Sequence, residues 1–478
     1  MKSIMLLLVL LASVASSDVR PNIIWIEADD LMPRFMNKLG EGFGHTPNLD
    51  RLATQGTYFP TAVCQGVMCS PSRNGLLTNL YSHNLGCYRN GNMHNLPEGI
   101  WTFPPVLQQA GYQTAYIGKS HIRPRAEDPK ASKNDGLRAL GFDHVNCTGE
   151  RYMLWKFLKE GWSIEDNPFV QHLKKRGKYE QFLADNDGYG NRSTMEDDLD
   201  YLDGFTTQVG VDWLADGRDA NKPFFLWFNF CLPHGPYDVP QRWYDKVASL
   251  KIPPPKTDGF GHEVPAPLLK DNHPAKGAEA TAKDRLGEAA NVAFMDAQIG
   301  RLLDALESTG ELENTVIIFF SDHSIFLGNH GRLHKGTLFE EALVTSMIVS
   351  FPKHFPKDRI NPHPMELMDL VPTTFELAGV KNPNDAAKNG LSIVPMLGKN
   401  ISNGRKFAFS EILGAQSATD ARYRYIISEG VEILYDHETD PWEMKNVVSE
   451  FPEVTKRMRK AVEHWMETTG PVHPPKTY

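Results

Sequence analysis

Apolar runs that stop abruptly on acids or imidazoles recur along this chain. Residues 22–30, NIIWIEADD, are mostly apolar and end on two aspartates. Such a run predicts a buried strand whose carboxyl end carries acids. Residues 222–234, KPFFLWFNFCLPH, predict a second buried strand that runs into a loop at His234. Residues 314–324, NTVIIFFSDHS, predict a third that ends in Asp322 and His323, and TSMIVSFP adds one more.

Between these runs the spacing turns helical. Residues 46–56, TPNLDRLATQG, predict a helix with Thr46 as N-cap, Pro47 at the first helical position and Gly56 as the stop. Residues 102–119 read as helix, glycine stop and strand, 281–309 as one long helix, and MELMDLVPTTFELAGV as another. The alternation predicts an α/β fold with a large, mixed, mostly parallel sheet flanked by helices. Two segments, 120–200 and 252–277, lose the periodicity and are expected to be long insertions near the mouth of a site. After 380–390 the strand-like pieces KFAFSEI, RYRYIIS and VEILYD, with a final helix over 451–468, predict a smaller C-terminal α+β subdomain containing a short antiparallel sheet. The expected division is 1–17, 18–385 and 386–478.

Composition narrows the class. At 478 residues with 41% hydrophobic and 23% charged residues, the chain reads as an ordinary globular protein. Its net charge of −9 argues against a nucleic-acid partner but leaves room for a basic pocket. Residues 1–17 read as an export signal: Lys2, then the apolar IMLLLVLLASVA, then small residues for cleavage. No later run approaches 18 apolar residues, so no membrane partner is expected. The expected location is secreted or periplasmic, or lysosomal in a eukaryotic host. In an oxidising compartment five cysteines, Cys64, Cys69, Cys87, Cys147 and Cys231, are an odd set, which invites one free or modified thiol. Sequons stand at Asn146, Asn191 and Asn400.

The strand ends suggest the chemistry. Asp29, Asp30, His234, Asp322 and His323 have ordinary structural explanations singly, but ligands of open α/β sheets bind beyond the carboxyl ends of the strands. Three carboxylates with an imidazole suit a hard divalent cation, whereas no His/Cys pair shows zinc-site spacing. Cations recur nearby: Lys119 with His121, Lys335, and Arg73 four residues after Cys69. Such a set fits an oxyanion better than a neutral substrate. Cys69 itself, at the head of CSPSR, is open to four readings: packing residue, half of a disulfide, metal ligand or nucleophile.

These residues together resemble the type I sulfatases of the alkaline-phosphatase-like superfamily. Cys69-Ser70-Pro71-Ser72-Arg73 matches their Cys-x-Pro-Ser-Arg signature, and Gly111-Tyr112-x-Thr114-x-x-Ile117-Gly118-Lys119 matches most of a second one. ADD at 28–30, PHGP at 233–236, SDHS through HGRLHK at 321–335 and LYDHETDPWEMKNV at 434–447 follow in the family order. Ser120, His323 and Ser324 depart from the commonest residues at their positions.

The resemblance implies that a formylglycine-generating enzyme oxidises Cys69 to formylglycine. The hydrated aldehyde has two hydroxyls, one to attack sulfur and one whose proton loss expels sulfate. It implies Ca2+ held by Asp29, Asp30, Asp322 and His323, with residue 69 completing the shell. Arg73 and Lys119 would stabilise the nucleophile, His121 would take the second proton, and His234 or Lys335 would protonate the leaving oxygen while contacting sulfate. The implied reaction is hydrolysis of a sulfate ester on a sulfated carbohydrate. Arg89, Arg123, Arg125, Arg332 and His334 are further candidates, for neighbouring sulfates or carboxylates of that substrate. The competing readings are a phosphonate or phosphate monoester hydrolase of the same superfamily and an inactive polyanion-binding homologue.

Overall fold

The computed structural model describes residues 20–90, 96–97, 99–122, 133–160, 167–185, 194–383 and 386–473. The export segment, Arg123, Arg125 and Asn191 lie outside the described residues. The predicted apolar runs are strands of one sheet. They are β1 (Asn22–Asp29), β2 (Gly56–Val63), β3 (Gln113–Gly118), β4 (His144–Cys147), β5 (Phe224–Pro233), β6 (Thr315–Ser321) and β7 (Val344–Ser350). Their order is β4-β3-β5-β1-β6-β7-β2, with the short strands β8 (Arg359–Ile360) and β9 (Met365–Glu366) pairing beside β2. All named neighbours run parallel except β7, which opposes both β6 and β2.

Alternate residues of the central strands enter two separate cores. Trp25, Trp227 and Phe320 point to one face, Ile26, Phe228 and Phe319 to the other. That is why these strands read as continuous apolar runs: both faces are covered. Helix α1 (Pro47–Thr54), helix α3 (Leu202–Ala215) and helix α4 (Ala278–Ser308) contribute to one core, and helix α2 (Cys69–Thr78) to the other.

Several expectations change. Thr46 precedes α1 but does not cap it; its hydroxyl accepts from the Asn37 amide and donates to Asp50. Gly56 is the first residue of β2 instead of a helix stop, because a side chain there would strike the Val349 carbonyl across the ladder. The 120–200 segment is not a plain insertion. It supplies β4, an edge strand of the main sheet, and the helices Arg151–Lys159 and Pro168–Lys175. Segment 252–277 holds only the short turn Ala266–Leu269 and packs on 328–335, where the His330 amide donates to the Lys256 carbonyl. The sequon residue Asn146 sits inside β4. Cys64, Cys69, Cys147 and Cys231 are buried free thiols.

The C-terminal part is a four-stranded antiparallel sheet, β10 (Ala408–Ile412), β11 (Ala415–Thr419), β12 (Tyr423–Ser428) and β13 (Val431–Asp436), backed by helix α5 (Pro452–Thr468). Leu434, Tyr425, Met458 and Trp465 form its core with Tyr81 from the main body. No described helix is long and apolar enough to cross a membrane.

Candidate active site

Strands β1, β3, β4, β5 and β6 are parallel, so their carboxyl ends lie along one edge of the sheet. That edge gathers Asp29 at the end of β1 and Asp30 just after it, Lys119 and His121 after β3, His234 after β5, and Asp322 and His323 after β6. Gly118 turns the chain off β3 with φ +107°, a conformation disfavoured for other residues, and a Cβ there would collide with the Asn229 carbonyl. Asp30 also has a positive φ, +68°; its amide donates to Asp322 Oδ1 at 3.3 Å and its carboxylate faces Lys335 and His323.

Cys69 is the first residue of α2 and fully buried. Its Sγ lies 3.4 Å from Asp29 Oδ1, 3.3 Å from His323 Nε2, 3.6 Å from Asn90 Nδ2 and 3.9 Å from Lys119 Nζ. Burial alone would raise the thiol, but Lys119, Lys335 and His323 outweigh it and hold Cys69 well below the usual thiol range.

Arg73 follows one turn along α2 with no exposed surface. Its Nε donates to Asp322 at 3.1 Å, and one terminal nitrogen donates to Glu27 at 3.0 Å and to Asn229 at 2.8 Å. Removing one partner of a buried ion pair strands the other, so Arg73→Met is expected to lower unfolding free energy by about 3–5 kcal/mol. Urea unfolding of the metal-free protein checks this; a change below about 1 kcal/mol would show that Glu27 and Asp322 do not depend on it.

The cluster is short of positive charge. Burial, reinforced by Asp322 and Cys69, pushes the Asp29 carboxyl well above its ordinary range, although Lys119 pairs with it. Burial also pushes Glu27 up to about 8. Asp30 goes the other way: burial raises it, but Lys335, at 2.5 Å and 2.6 Å from its oxygens, His234 and His323 hold it well below. Asp29, Cys69, Asp322 and His323 offer ligand atoms all within 4.8 Å of one another, and Asp29, Asp30 and His234 form an overlapping group. Crowded, buried carboxylates that repel one another fit a divalent cation with hard-ligand preference.

On the open side stand the groups suited to an anionic substrate. His234 donates through Nδ1 to the Gly235 carbonyl at 2.6 Å, so Nε2 is the nitrogen turned inward, 3.6 Å from Asp30 and 3.9 Å from Glu150. Burial, then Lys335, lowers the His234 imidazole. His121 Nε2 lies 2.9 Å from Glu150 Oε2, and Lys119 Nζ 2.9 Å from Glu150 Oε1.

Further out, Arg332 donates to the Asn272 carbonyl at 3.1 Å and makes no ion pair among the described residues. His334 is exposed, yet burial of its ring and Lys335 bring it down to about 4, which makes it an uncharged hydrogen-bonding group. Arg89 pairs with Asp271 at 2.8 Å and ties 252–277 to the loop that carries Asn90.

Sequence reasoning did not single out Glu27, Asn90, Glu150 or Asn229. Glu27 and Asn229 sit inside apolar strands, and a charged residue in a run otherwise apolar on both faces was the available signal. Glu150 follows an edge strand with only four residues, too short to stand out.

The family model described as sulfatase matches residues 21–380, and one described as N-sulphoglucosamine sulphohydrolase, C-terminal, matches 328–468. The chain is 28% identical over 454 residues to a sulfatase of Formosa agariphila, covering 90% of this chain and 84% of that protein. It is 26% identical over 530 residues to an N-acetylglucosamine-6-O-sulfatase of Bacteroides thetaiotaomicron, covering 94% and 86%. Among solved structures, one bound to its substrate D-glucosamine-2-N,6-O-disulfate superposes with a TM-score of 0.74 at 24% identity, over 96% of this chain and 100% of that one. The fold is that of the alkaline-phosphatase-like sulfatases.

Proposed function

The chain belongs to the sulfatase family and is a sulfuric ester hydrolase, and from that premise we propose that it cleaves sulfate esters of a sulfated carbohydrate with formylglycine made from Cys69 and a bound Ca2+. The observation that carries the reading is the setting of Cys69: buried at the start of α2, beside Asp29, His323 and Lys119. Asp29, Asp30, Asp322 and His323 are the residues that would hold the metal. Formylglycine would supply the attacking oxygen, and Ca2+ positive charge next to it.

The chain's own groups do the rest. Lys335 and Lys119 are both pushed above the usual lysine range by their carboxylate partners, despite burial, so they stay charged and bind sulfuryl oxygens. Their fixed positions stabilise charge spread over those oxygens without reorganisation. Arg73 holds Asp322 and Glu27 in place beneath the site. The departing sugar oxygen takes its proton from Lys335, or from His234 when Nε2 carries a proton in addition to the one Nδ1 donates to the Gly235 carbonyl. His121 serves as the base that takes a proton from residue 69. The sugar substrate is supported by the relatives' own names and by Arg332, which makes no ion pair among the described residues. Export is supported by the leader-like residues 1–17, and maturation by a formylglycine-generating enzyme by the Cys-x-Pro-Ser-Arg match.

Peptide mass spectrometry across Cys69, with turnover of an aryl sulfate and an aryl phosphonate, tests the reading. Formylglycine at 69 with preference for the sulfate supports it; preference for the phosphonate would assign the chain to phosphonate monoester hydrolysis. Arg332→Ala tests the polyanionic sugar. Turnover of sulfated oligosaccharides is expected to fall roughly tenfold, in line with loss of one charged contact, while an aryl sulfate is unaffected. Equal losses on both substrates would move Arg332 into the sulfate pocket.

A further inference from the structure

Glu150 is the acid that the reaction just described does not use. It follows β4, at the N-cap position of the helix Arg151–Lys159, and makes no capping hydrogen bond. Its side chain turns into the site instead. Oε2 meets His121 Nε2 at 2.9 Å, while Oε1 meets Lys119 Nζ at 2.9 Å and stands 3.9 Å from His234 Nε2.

The position is built from below. The Gly149 carbonyl accepts from Cys231 Sγ at 3.2 Å, and the Cys231 amide is held by Asp203 Oδ1 at 2.7 Å. Lys119 and His121 together hold the Glu150 carboxyl well below its ordinary range despite burial, so it is an acceptor only. A carboxylate beside a ring nitrogen requires the hydrogen to sit on that nitrogen. The other ring nitrogen, His121 Nδ1, is buried and makes no geometric hydrogen bond among the described residues, and the ring's effect on the thiol sets it against Cys69.

We propose that Glu150 is a positioning residue that fixes the His121 tautomer, with the hydrogen on Nε2 and Nδ1 left bare toward residue 69. This rests on the sulfatase reading above. In that reaction the hydroxyl remaining on residue 69 gives its proton to Nδ1, its O–H electron pair becomes the second C–O bond of the aldehyde, and the bond from that carbon to the sulfate oxygen breaks with sulfate taking the pair. A ring with its hydrogen on Nδ1 has no lone pair there to accept the proton. The logic is that of a carboxylate orienting a catalytic imidazole in a hydrolase triad.

The first test needs no turnover. The Ca2+-saturated formylglycine form, in which a neutral hydroxyl replaces the thiolate beside the ring, is labelled with 15N-histidine, and His121 is assigned by its loss in His121→Asn. The wild type is expected to show Nε2 protonated and Nδ1 bare, and Glu150→Ala a mixture of tautomers. A wild-type His121 with hydrogen on Nδ1, or an unchanged signal in Glu150→Ala, would overturn the proposal.

The second test is kinetic, on an aryl sulfate with the formylglycine form. The base acts after the phenol has left, so in Glu150→Ala kcat and KM are expected to fall together, by roughly 10–100-fold, with kcat/KM within about threefold of wild type. Glu150→Gln keeps a neutral acceptor for Nε2 and is expected to recover most of kcat. A loss in kcat/KM as large as in kcat, or a Gln variant as slow as Ala, would show that charge beside Lys119 and His234 matters and not the tautomer. A wild type that turns over no aryl sulfate would sink the functional reading and leave the tautomer measurement standing alone.

Discussion

Cys69→Ala is expected to lower aryl sulfate turnover by roughly 10⁵–10⁶-fold, the scale on which loss of a nucleophile costs a hydrolase its chemistry. The thiol is the centre on which Asp29, His323, Lys119 and Asn90 converge. The fold should survive, because alanine fits the first turn of α2 and removes an anion from a crowded site. Circular dichroism and a melting curve near those of the wild type, beside absent turnover, are the expected pair of results. Near-wild-type turnover would remove Cys69 from the mechanism altogether.

Asp322→Asn should cost turnover on the order of 10³-fold or more, through two effects at once. Asp322 belongs to the group that can hold the metal, and its Oδ2 accepts from Arg73 Nε at 3.1 Å. An asparagine amide would lower the charge facing the cation and point donors at an arginine. Elemental analysis is expected to find less than one Ca2+ per chain after dialysis. Added Ca2+ should restore only part of the activity, since Arg73 stays mispaired. Full calcium occupancy with wild-type turnover would count against both assignments.

The strands that carry the site were legible because they are buried on both faces. Asp29, Asp30, His234, Asp322 and His323 interrupt apolar runs where the strands leave the core, and that break is visible in one dimension. The signature around Cys69 was legible for a different reason, its fixed spacing to Arg73. Strands β2 and β11 escaped because GTYFPTAV and AQSAT mix small and polar residues with few large apolar ones. The edge strand β4 escaped because HVNC is short and lies within charged sequence. With it went Glu150, whose meaning depends on three partners that no local pattern brings together: Lys119, His121 and His234.

The burial of Cys69 also sets a clock. About 270 residues of synthesis separate it from Lys335, and Asp322 and His323 emerge only shortly before. At ribosomal rates of roughly 5–20 residues per second, Cys69 has left the ribosome tens of seconds before the groups that enclose it exist. In the folded chain the thiol has no exposed surface. Any enzyme that modifies this side chain therefore works before the chain has folded around it, and slowing translation after codon 75 would lengthen that interval.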